Sequence, residues 1–328
     1  MQSIKFIDLF CGIGGFRIAA EQAFQKFNIS SKCVFSSDID EYARKSYYAN
    51  FGEYPAGDLT KIPPGSIPFH DALFAGFPCQ PFSIIGASRG FEDTRGTLFF
   101  DIARILNVKK PKAFVLENVK RLVSHNRGKT IEKILLTLKQ LGYWVDYRVL
   151  NALNYGLPQK RERVIIVGYY KPIKFTWPKE SANRLSLERI LEKQVSQKYY
   201  ASRYIQQKRK AAHIPSISPS IWHENKAGNI SSYPYSCALR AGGSYNYLLV
   251  NGERRLTPRE MLRLQGFPEW YKIVVDDSQI RKQAGNAVPV ALIRAVLESL
   301  SAFIIADLQK TDDRQEQKRN QQSALANC

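Results

Sequence analysis

One stretch near the start of the chain predicts the fold: Phe6-Ile7-Asp8-Leu9-Phe10-Cys11-Gly12-Ile13-Gly14-Gly15-Phe16. It joins a strand-like apolar run to a glycine-rich turn, and the turn leads into a helical pattern. Glycine lets the backbone approach a ligand closely, and the free N–H groups at a helix N-terminus attract its negative end. The stretch therefore indicates a ligand-binding strand–turn–helix unit, although a purely structural turn would use the same residues.

The same alternation continues outward from this stretch. Short apolar runs recur along the first half of the chain, and amphipathic helical patterns lie between them. This order is typical of an α/β fold, and we expect a doubly wound, Rossmann-like, mixed but mostly parallel sheet. The predicted strands are Ile4 to Phe10, Cys33 to Ser36, Ala72 to Ala75, Ala113 to Leu116 and Val164 to Val167.

The chain is strongly basic, with 48 Lys plus Arg against 29 Asp plus Glu and a net charge of +19. Residues 171 to 230 carry twelve basic and four acidic side chains, which gives a local excess of +8 (12 − 4). A polyanion such as nucleic acid is the partner that this charge favours, but a solvated basic surface would look the same.

The cysteines and the composition of the two ends of the chain disfavour several other classes of protein. The five cysteines are irregularly spaced and have no paired histidines, so we expect neither a disulfide framework nor a metal site. No signal sequence or membrane-spanning run is visible, and we expect a cytoplasmic protein. Helical order resumes at Pro258, and Ala287 to Leu308 is predicted as one long helix. The residues from 307 to 328, which include the end of that helix, are expected to form a disordered tail.

Two acidic residues extend the predicted ligand site. Asp38 follows the second strand, where a carboxylate can hydrogen-bond to a ribose diol, and Asp58 follows Gly57 in the next unit. The residues thus predict a nucleoside-containing cofactor, and they leave nicotinamide and adenosylmethionine both open.

A thiol and a carboxyl group follow two neighbouring strands of the predicted sheet. Cys79 lies in the turn Gly76-Phe77-Pro78-Cys79-Gln80-Pro81 after the third strand, and Glu117 ends the fourth. Ligands of parallel α/β sheets bind at the carboxyl ends of strands, so both side chains can face one pocket. A lone cysteine is more often an inert core residue, and the shared position is what favours a nucleophile.

Six motifs occur in one order that resembles the cytosine-5 DNA methyltransferases of bacterial restriction-modification systems, over roughly residues 4 to 305. They are Asp8-Leu9-Phe10 with Gly12-x-Gly14-Gly15, Pro78-Cys79-Gln80, Glu117-Asn118-Val119, Gln159-x-Arg161-x-Arg163, Arg259-Glu260 with Gln265-Gly266-Phe267-Pro268, and Gly285-Asn286-Ala287-Val288. The resemblance implies S-adenosyl-L-methionine as cofactor and double-stranded DNA as substrate, with no metal.

The resemblance also implies catalytic roles. Cys79 would add to carbon 6 of a flipped cytosine, which makes carbon 5 nucleophilic toward the methyl group. Glu117 would protonate N3, Arg163 would stabilise charge on O2, and Asn118 would hold the nucleophile loop. Arg161 of the same motif belongs to this expected catalytic set.

Cofactor and DNA contacts follow from the same matches. The expected cofactor residues are Phe10, Gly12, Gly14, Gly15, Asp38, Ile39, Asp58, Leu59, Pro78, Asn286 and Ala287. The expected DNA contacts are Ser83, Arg89 and Arg95 in a lid from Ser83 to Thr97, and Arg240 in the target-recognition region. Further side chains able to read base edges are Trp222, His223, Asn225 and Asn246.

The resemblance divides the chain into a discontinuous catalytic domain, 1–180 plus 277–306, and a target-recognition domain, 181–276. The recognition domain departs from the family pattern, since Ala238-Leu239 stands where a threonine commonly precedes the aliphatic residue. On family grounds we expect a monomer, and a cognate restriction endonuclease would act on the same site without binding this chain.

Three alternatives remain at this point. A tRNA cytosine-5 methyltransferase of the same superfamily would carry nearly the same catalytic motifs. A DNA-binding protein with a decayed site is disfavoured because Cys79, Glu117 and Arg163 are all present. A nicotinamide oxidoreductase would share the glycine turn but would not account for those three residues.

Overall fold

The computed structural model describes residues 3–78, 98–172, 174–181, 183–301 and 303–304. Its strands are β1 (Ile4–Leu9), β2 (Ser31–Ser37), β3 (Ala72–Gly76), β4 (Ala113–Val119), β5 (Trp144–Asn151), β6 (Gln159–Lys160), β7 (Glu162–Tyr169), β8 (Ile221–Glu224), β9 (Ile230–Tyr233), β10 (Ser236–Cys237) and β11 (Leu248–Val250). Its helices are α1 (Gly15–Lys26), α2 (Glu41–Phe51), α3 (Leu98–Lys109), α4 (Arg121–Ser124), α5 (Lys129–Gln140), α6 (Leu187–Ile190), α7 (Arg203–Ala212), α8 (Pro258–Leu264), α9 (Asp277–Asn286) and α10 (290–301).

Within these ranges, six strands form one sheet in the order β2-β1-β3-β4-β7-β5. Strand β1 runs parallel to β2 and β3, and β3 runs parallel to β4. Strand β7 is antiparallel to both of its neighbours, β4 and β5. The predicted mixed, mostly parallel α/β sheet is therefore confirmed.

Both faces of the sheet are covered, because successive side chains of a strand point to opposite faces. Phe6 and Phe74 belong to one buried cluster, and their neighbours Ile7 and Leu73 belong to a second. Helices α1 and α10 contribute to the first cluster, whereas α3 and α5 contribute to the second. The continuous apolar runs in the sequence are explained by this double burial.

Two details differ from the sequence-based expectations. Strand β5 was not predicted, because it is the sheet edge, where half of its residues are exposed and one is fully buried. The long helix begins at residue 290 and not at Ala287, since Ala287 has extended backbone and Pro289 disfavours helical geometry at the residue before it. Residues 305–328, with the predicted tail, lie outside the described ranges.

A smaller assembly follows the main sheet along the chain. Strands β11, β8 and β9 form an antiparallel sheet in that order, and β10 pairs in parallel with β6. A third apolar cluster fills this part, including Ile221, Leu248, Met261 and Ala284 of α9. The division into domains at 181 and 277 stays a prediction. Among the described residues, no helix has the length and apolarity needed to cross a bilayer.

Candidate active site

A cavity of about 520 Å³ lies at the carboxyl ends of the parallel strands. Because these ends meet at one edge of the sheet, residues distant in sequence share its wall. Its lining includes Gly12 after β1, Asp38 after β2, Gly76 at the end of β3, Glu117 in β4 and Asn286 at the end of α9. Its volume is that of a pocket for a small molecule.

Asp38 fixes the glycine turn that opens the cavity. The Gly12 N–H donates to Asp38 Oδ2 over 2.8 Å, and the Asp40 N–H donates to Oδ1 over 2.8 Å. Gly12 adopts a left-handed conformation with φ +52° and has open space where a side chain would begin. Burial raises the pKa of Asp38, while the two backbone donors act in the opposite direction. Each carboxylate oxygen retains an acceptor site for a ligand.

An apolar side chain and a second carboxylate lie beside Asp38. Ile39 lines the cavity but is 75% exposed, so its apolar surface is available to a ring. Asp58 caps the short turn Leu59–Lys61 by accepting from Thr60 N over 3.0 Å, and Leu59 is buried beneath it. Both Asp58 and Leu59 line the cavity.

The other expected cofactor residues fall into two groups. Phe10, Pro78 and Asn286 line the cavity. Gly14, Gly15 and Ala287 are outside its described lining. A Cβ on Gly14 would lie 2.3 Å from the Phe51 ring, and one on Gly15 would lie 2.7 Å from Val288, so these glycines serve close packing.

Glu117 and Arg163 form an ion pair at the cavity. Arg163 Nε donates to Glu117 Oε1 over 2.7 Å, and its Nη1 donates to the Glu162 carbonyl. Glu117 is only 8% exposed. Burial raises the pKa of Glu117, whereas the charges of Arg163 and Arg161 lower it, and the net direction is upward. A carboxyl group with a raised pKa is suited to donate a proton.

Asn118 ties β4 to the loop that follows β3. Its Nδ2 donates to the Phe77 carbonyl over 2.8 Å, and its side chain is buried. Phe77 precedes Cys79 by two residues, so this is the geometry that a loop-holding amide requires.

Arg161 is enclosed by backbone carbonyls and is 1% exposed. Its Nη1 donates to Leu239 O, and its Nη2 donates to Gly285 O and Ala287 O, over 2.8 to 2.9 Å. Burial and the charge of Arg163 lower the pKa of Arg161, whereas Glu117 raises it. These contacts favour a positioning role for Arg161 over direct catalysis.

Gln159 binds the backbone of the same residue, Leu239, through its N–H group. Its Oε1 accepts the Leu239 N–H over 3.1 Å, and its Nε2 donates to Leu264 O over 2.9 Å. We call the pair of hydrogen bonds from Gln159 and Arg161 to Leu239 the Leu239 clamp. It joins the segment before Arg240 to the strand residues that lead to Arg163.

The recognition candidates differ in their exposure. Arg240 is exposed, and its Nη2 lies 3.1 Å from His223 Nε2. Trp222 is 2% exposed and its Nε1 donates to Ser220, so the expectation that it reads a base is wrong. Cys79, Ser83, Arg89 and Arg95, with the expected lid from Ser83 to Thr97, lie outside the described residues.

Comparison with known proteins decides the family. The family model for C-5 cytosine-specific DNA methylases matches residues 4–302. The chain belongs to the C-5 cytosine-specific DNA methylase family. It is accordingly a DNA cytosine-5 methyltransferase, and S-adenosylmethionine is its methyl donor.

Individual relatives agree with this assignment. The chain is 56% identical to the Type II methyltransferase M.NgoBI of Neisseria gonorrhoeae, over 92% of this chain and 94% of the relative. It is 54% identical to the Type II methyltransferase M.HaeII of Haemophilus aegyptius, over 92% and 93%. The solved methyltransferase EhMeth of Entamoeba histolytica has a TM-score of 0.72 and 19% identity, over 93% of this chain and 99% of that one, and so shares the fold.

The cavity of this methyltransferase fits an adenosyl group. Asp38 and Asp58 offer carboxylate acceptors, Ile39 offers an exposed apolar side chain, and Gly12 leaves the space that a Cβ would fill. Hydroxyl and amino groups of a nucleoside would find acceptors there, and its base would find an apolar surface.

Sequence reasoning missed two features of this site. Lys282 Nζ pairs with Asp40 Oδ2 over 2.7 Å at the cavity wall, which links α9 to the start of α2. Gln159 was noted only as part of a motif, although the even spacing of Gln159, Arg161 and Arg163 was a signal that their side chains share one side of the segment.

Proposed function

We propose that this chain methylates carbon 5 of a flipped cytosine within a specific short sequence of double-stranded DNA, through a covalent Cys79 adduct at carbon 6. The observation that carries the proposal is the Glu117–Arg163 pair, which faces the same cavity as Asp38 and Pro78. Cys79 directly follows Pro78 in the chain, and we propose that its thiol attacks a pyrimidine ring placed against that pair.

Addition of the thiolate to carbon 6 breaks the double bond between carbons 5 and 6, and the electron pair moves into the ring. A protonated Glu117 donates to N3, and the Arg163 guanidinium stabilises the negative charge on O2. S-adenosylmethionine, when bound, supplies an electrophilic methyl group to carbon 5. A base then removes the carbon-5 proton, Cys79 leaves as a thiolate as the double bond forms again, and the N3 proton returns to Glu117.

We assign the cofactor to one end of the cavity. Asp38 is proposed to accept from the ribose hydroxyls, Asp58 and Leu59 to contact the adenine edge, and Ile39 to pack on the adenine ring. Phe10, Gly12 and Asn286 would lie near the methionine moiety. Gly14, Gly15 and Ala287 would support the bound cofactor by shaping the turns around it, and Pro78 would line the cavity beside it.

Ser83, Arg89, Arg95 and Arg240 are proposed as DNA contacts, with phosphates as the targets of Arg89 and Arg95. We also propose a monomer that acts in the cytoplasm. A cognate restriction endonuclease would cut the same sequence without binding this chain, as expected for an enzyme related to Type II methyltransferases.

The test uses duplex DNA that carries 5-fluorocytosine at the target position. Fluorine cannot leave as a proton does, so the wild-type chain should form a covalent adduct in the presence of the cofactor. Cys79→Ser should form no adduct and transfer no methyl group, while it retains binding of DNA and of the cofactor. Cys237→Ser, which changes a half-buried cysteine of β10, is the matched control and should behave as wild type.

The remaining rival substrate is tRNA. Transfer of labelled methyl groups from S-adenosylmethionine to duplex DNA and to tRNA separates the two, and label on tRNA alone would refute the DNA proposal. Bisulfite sequencing of DNA from cells that express the chain would identify the methylated sequence.

A further inference from the structure

Arg240 is held in an unusual way at the surface of the recognition region. Its backbone N–H donates to Tyr247 Oη over 2.9 Å, and its guanidinium lies 4.8 Å from the centre of the Tyr247 ring. The preceding residue, Leu239, is fixed by the Leu239 clamp. The backbone of Arg240 is thus anchored at its own N–H and at the preceding residue, while its side chain stays exposed.

Arg240 lines a cleft of about 100 Å³ in the recognition region. Two other arginines line this cleft, and both are committed to backbone carbonyls. Arg281 donates to Ser244 O over 2.7 Å, and Arg255 donates to Tyr199 O over 3.4 Å. Within the described part of the chain, the hydrogen bond from the Arg240 guanidinium goes to His223. Most of its five donors therefore remain for a ligand.

His223 is the acceptor that orients this guanidinium. Its Nε2 lies 3.1 Å from Arg240 Nη2, and because Arg240 can only donate, that nitrogen must carry a lone pair. Burial lowers the pKa of His223, and the charges of Arg240 and of Arg209 on α7 lower it further. The Tyr247 ring meets the imidazole edge-on with 6.4 Å between ring centres. His223 is consequently a neutral acceptor at neutral pH.

We infer that His223 is a positioning residue for sequence recognition: it holds Arg240 so that the guanidinium reads O6 and N7 of one guanine in the DNA site. This inference rests on the proposed DNA methylation. A planar guanidinium matches the two acceptors of guanine in the major groove, but only when its plane is fixed. Protonation of His223 removes the acceptor and places a second positive charge beside Arg240. Recognition of that guanine should therefore weaken as pH falls.

The test measures kcat/KM for methylation of the cognate duplex, and of duplexes in which each guanine in turn is replaced by 7-deazaguanine. Removal of N7 at the guanine that Arg240 reads should lower kcat/KM of the wild type about tenfold. This factor is the penalty of the replacement. Arg240→Ala should have a lower kcat/KM on the cognate duplex, and its kcat/KM should not change when that guanine is replaced. His223→Leu should reduce the wild-type penalty to about a third or less at neutral pH, because the guanidinium loses its acceptor.

The pH dependence separates positioning from a merely structural role. His223→Gln places an amide oxygen near the position of Nε2, so its penalty should match that of the wild type at neutral pH and stay constant on acidification. The wild-type penalty should shrink as pH falls through the pKa of His223. His213→Gln is the matched control, since His213 Nε2 binds Ser232 Oγ in the same small sheet, and it should follow the wild-type profile.

Either of two results would overturn the inference. One is a penalty in Arg240→Ala equal to that of the wild type at every guanine. The other is an identical profile for His223→Leu and the wild type at all pH values. If the wild-type chain transferred no methyl group to any DNA, the proposed function itself would be refuted. Failure of the inference and failure of the proposed function are therefore distinguishable.

Discussion

Glu117 and Arg163 lie on the adjacent antiparallel strands β4 and β7, two residues apart in register, and Arg163 Nε donates to Glu117 Oε1 over 2.7 Å. Diagonal neighbours of this kind share one face of a sheet. The pair sits where β4 ends, so two opposite charges reach the cavity from two different strands. The antiparallel direction of β7 is what brings Arg163 to the carboxyl end of β4.

Glu117→Gln should reduce kcat for methyl transfer by about 10²- to 10⁴-fold, because an amide can hydrogen-bond to N3 but cannot protonate it. Only protonated Glu117 donates, so the wild-type rate should fall as pH rises through its pKa, which burial raises above the usual 4.5. Single-turnover rates measured against pH should show that basic limb in the wild type and lack it in Glu117→Gln.

Glu162→Gln is the matched control for Glu117, since the Glu162 side chain pairs with Lys120 on the exposed side of the same strands over 2.8 Å. It should keep the wild-type rate and pH profile. An unchanged basic limb in Glu117→Gln would contradict the assigned proton donor.

Asp38→Asn should weaken cofactor binding by about tenfold and leave kcat at saturating cofactor nearly unchanged. The reason is that both Asp38 oxygens accept backbone N–H groups, and an amide can replace only one of them. Isothermal titration with S-adenosylmethionine measures the change. Asp276→Asn, at the cap of α9, serves as control because asparagine caps a helix as well as aspartate does.

Asn118→Asp should destabilise the fold by about 1–3 kcal/mol and slow methyl transfer, since a carboxylate cannot donate to the Phe77 carbonyl. Thermal unfolding and single-turnover rates give the two readouts. Asn50→Asp removes an amide donor to two carbonyls at a half-buried position and should affect stability alone. Equal rates for Asn118→Asp and the wild type would argue against a loop-holding role.

Arg161→Lys should lower the free energy of unfolding by about 2–4 kcal/mol, because one ammonium group cannot reproduce the fixed fork that binds three carbonyls. Cofactor affinity and discrimination between DNA sequences should both decrease, since Gly285 and Leu239 lose a shared donor. Denaturant unfolding, cofactor titration and kcat/KM on altered sites measure these effects.

Arg148→Lys is the control for this substitution. Arg148 belongs to the edge strand β5, and its guanidinium packs on the Trp177 ring and not on Leu239. It should change neither affinity nor discrimination. Wild-type discrimination in Arg161→Lys would show that the Leu239 clamp does not link recognition to the active site.

Much of the fold was predictable from local pattern. The strands β1, β3 and β4 are buried on both faces, and strands buried in this way have continuous apolar runs that are visible in the sequence. Strand β5 was missed because half of this edge strand is exposed, although the alternation of Val145, Tyr147 and Val149 was a weak signal of it. The start of α10 was missed because Pro289 was read as part of the helix.

The sequence by itself determined the family, the cofactor and the residue types of the cavity, since these depend on motifs that are each a few residues long. Only the tertiary structure decided the partners of Arg161, Asp40 and Arg240, which are Leu239, Lys282 and His223 in turn. Hydrogen bonds between residues far apart in the chain depend on how strands and loops pack, and no local pattern records that packing.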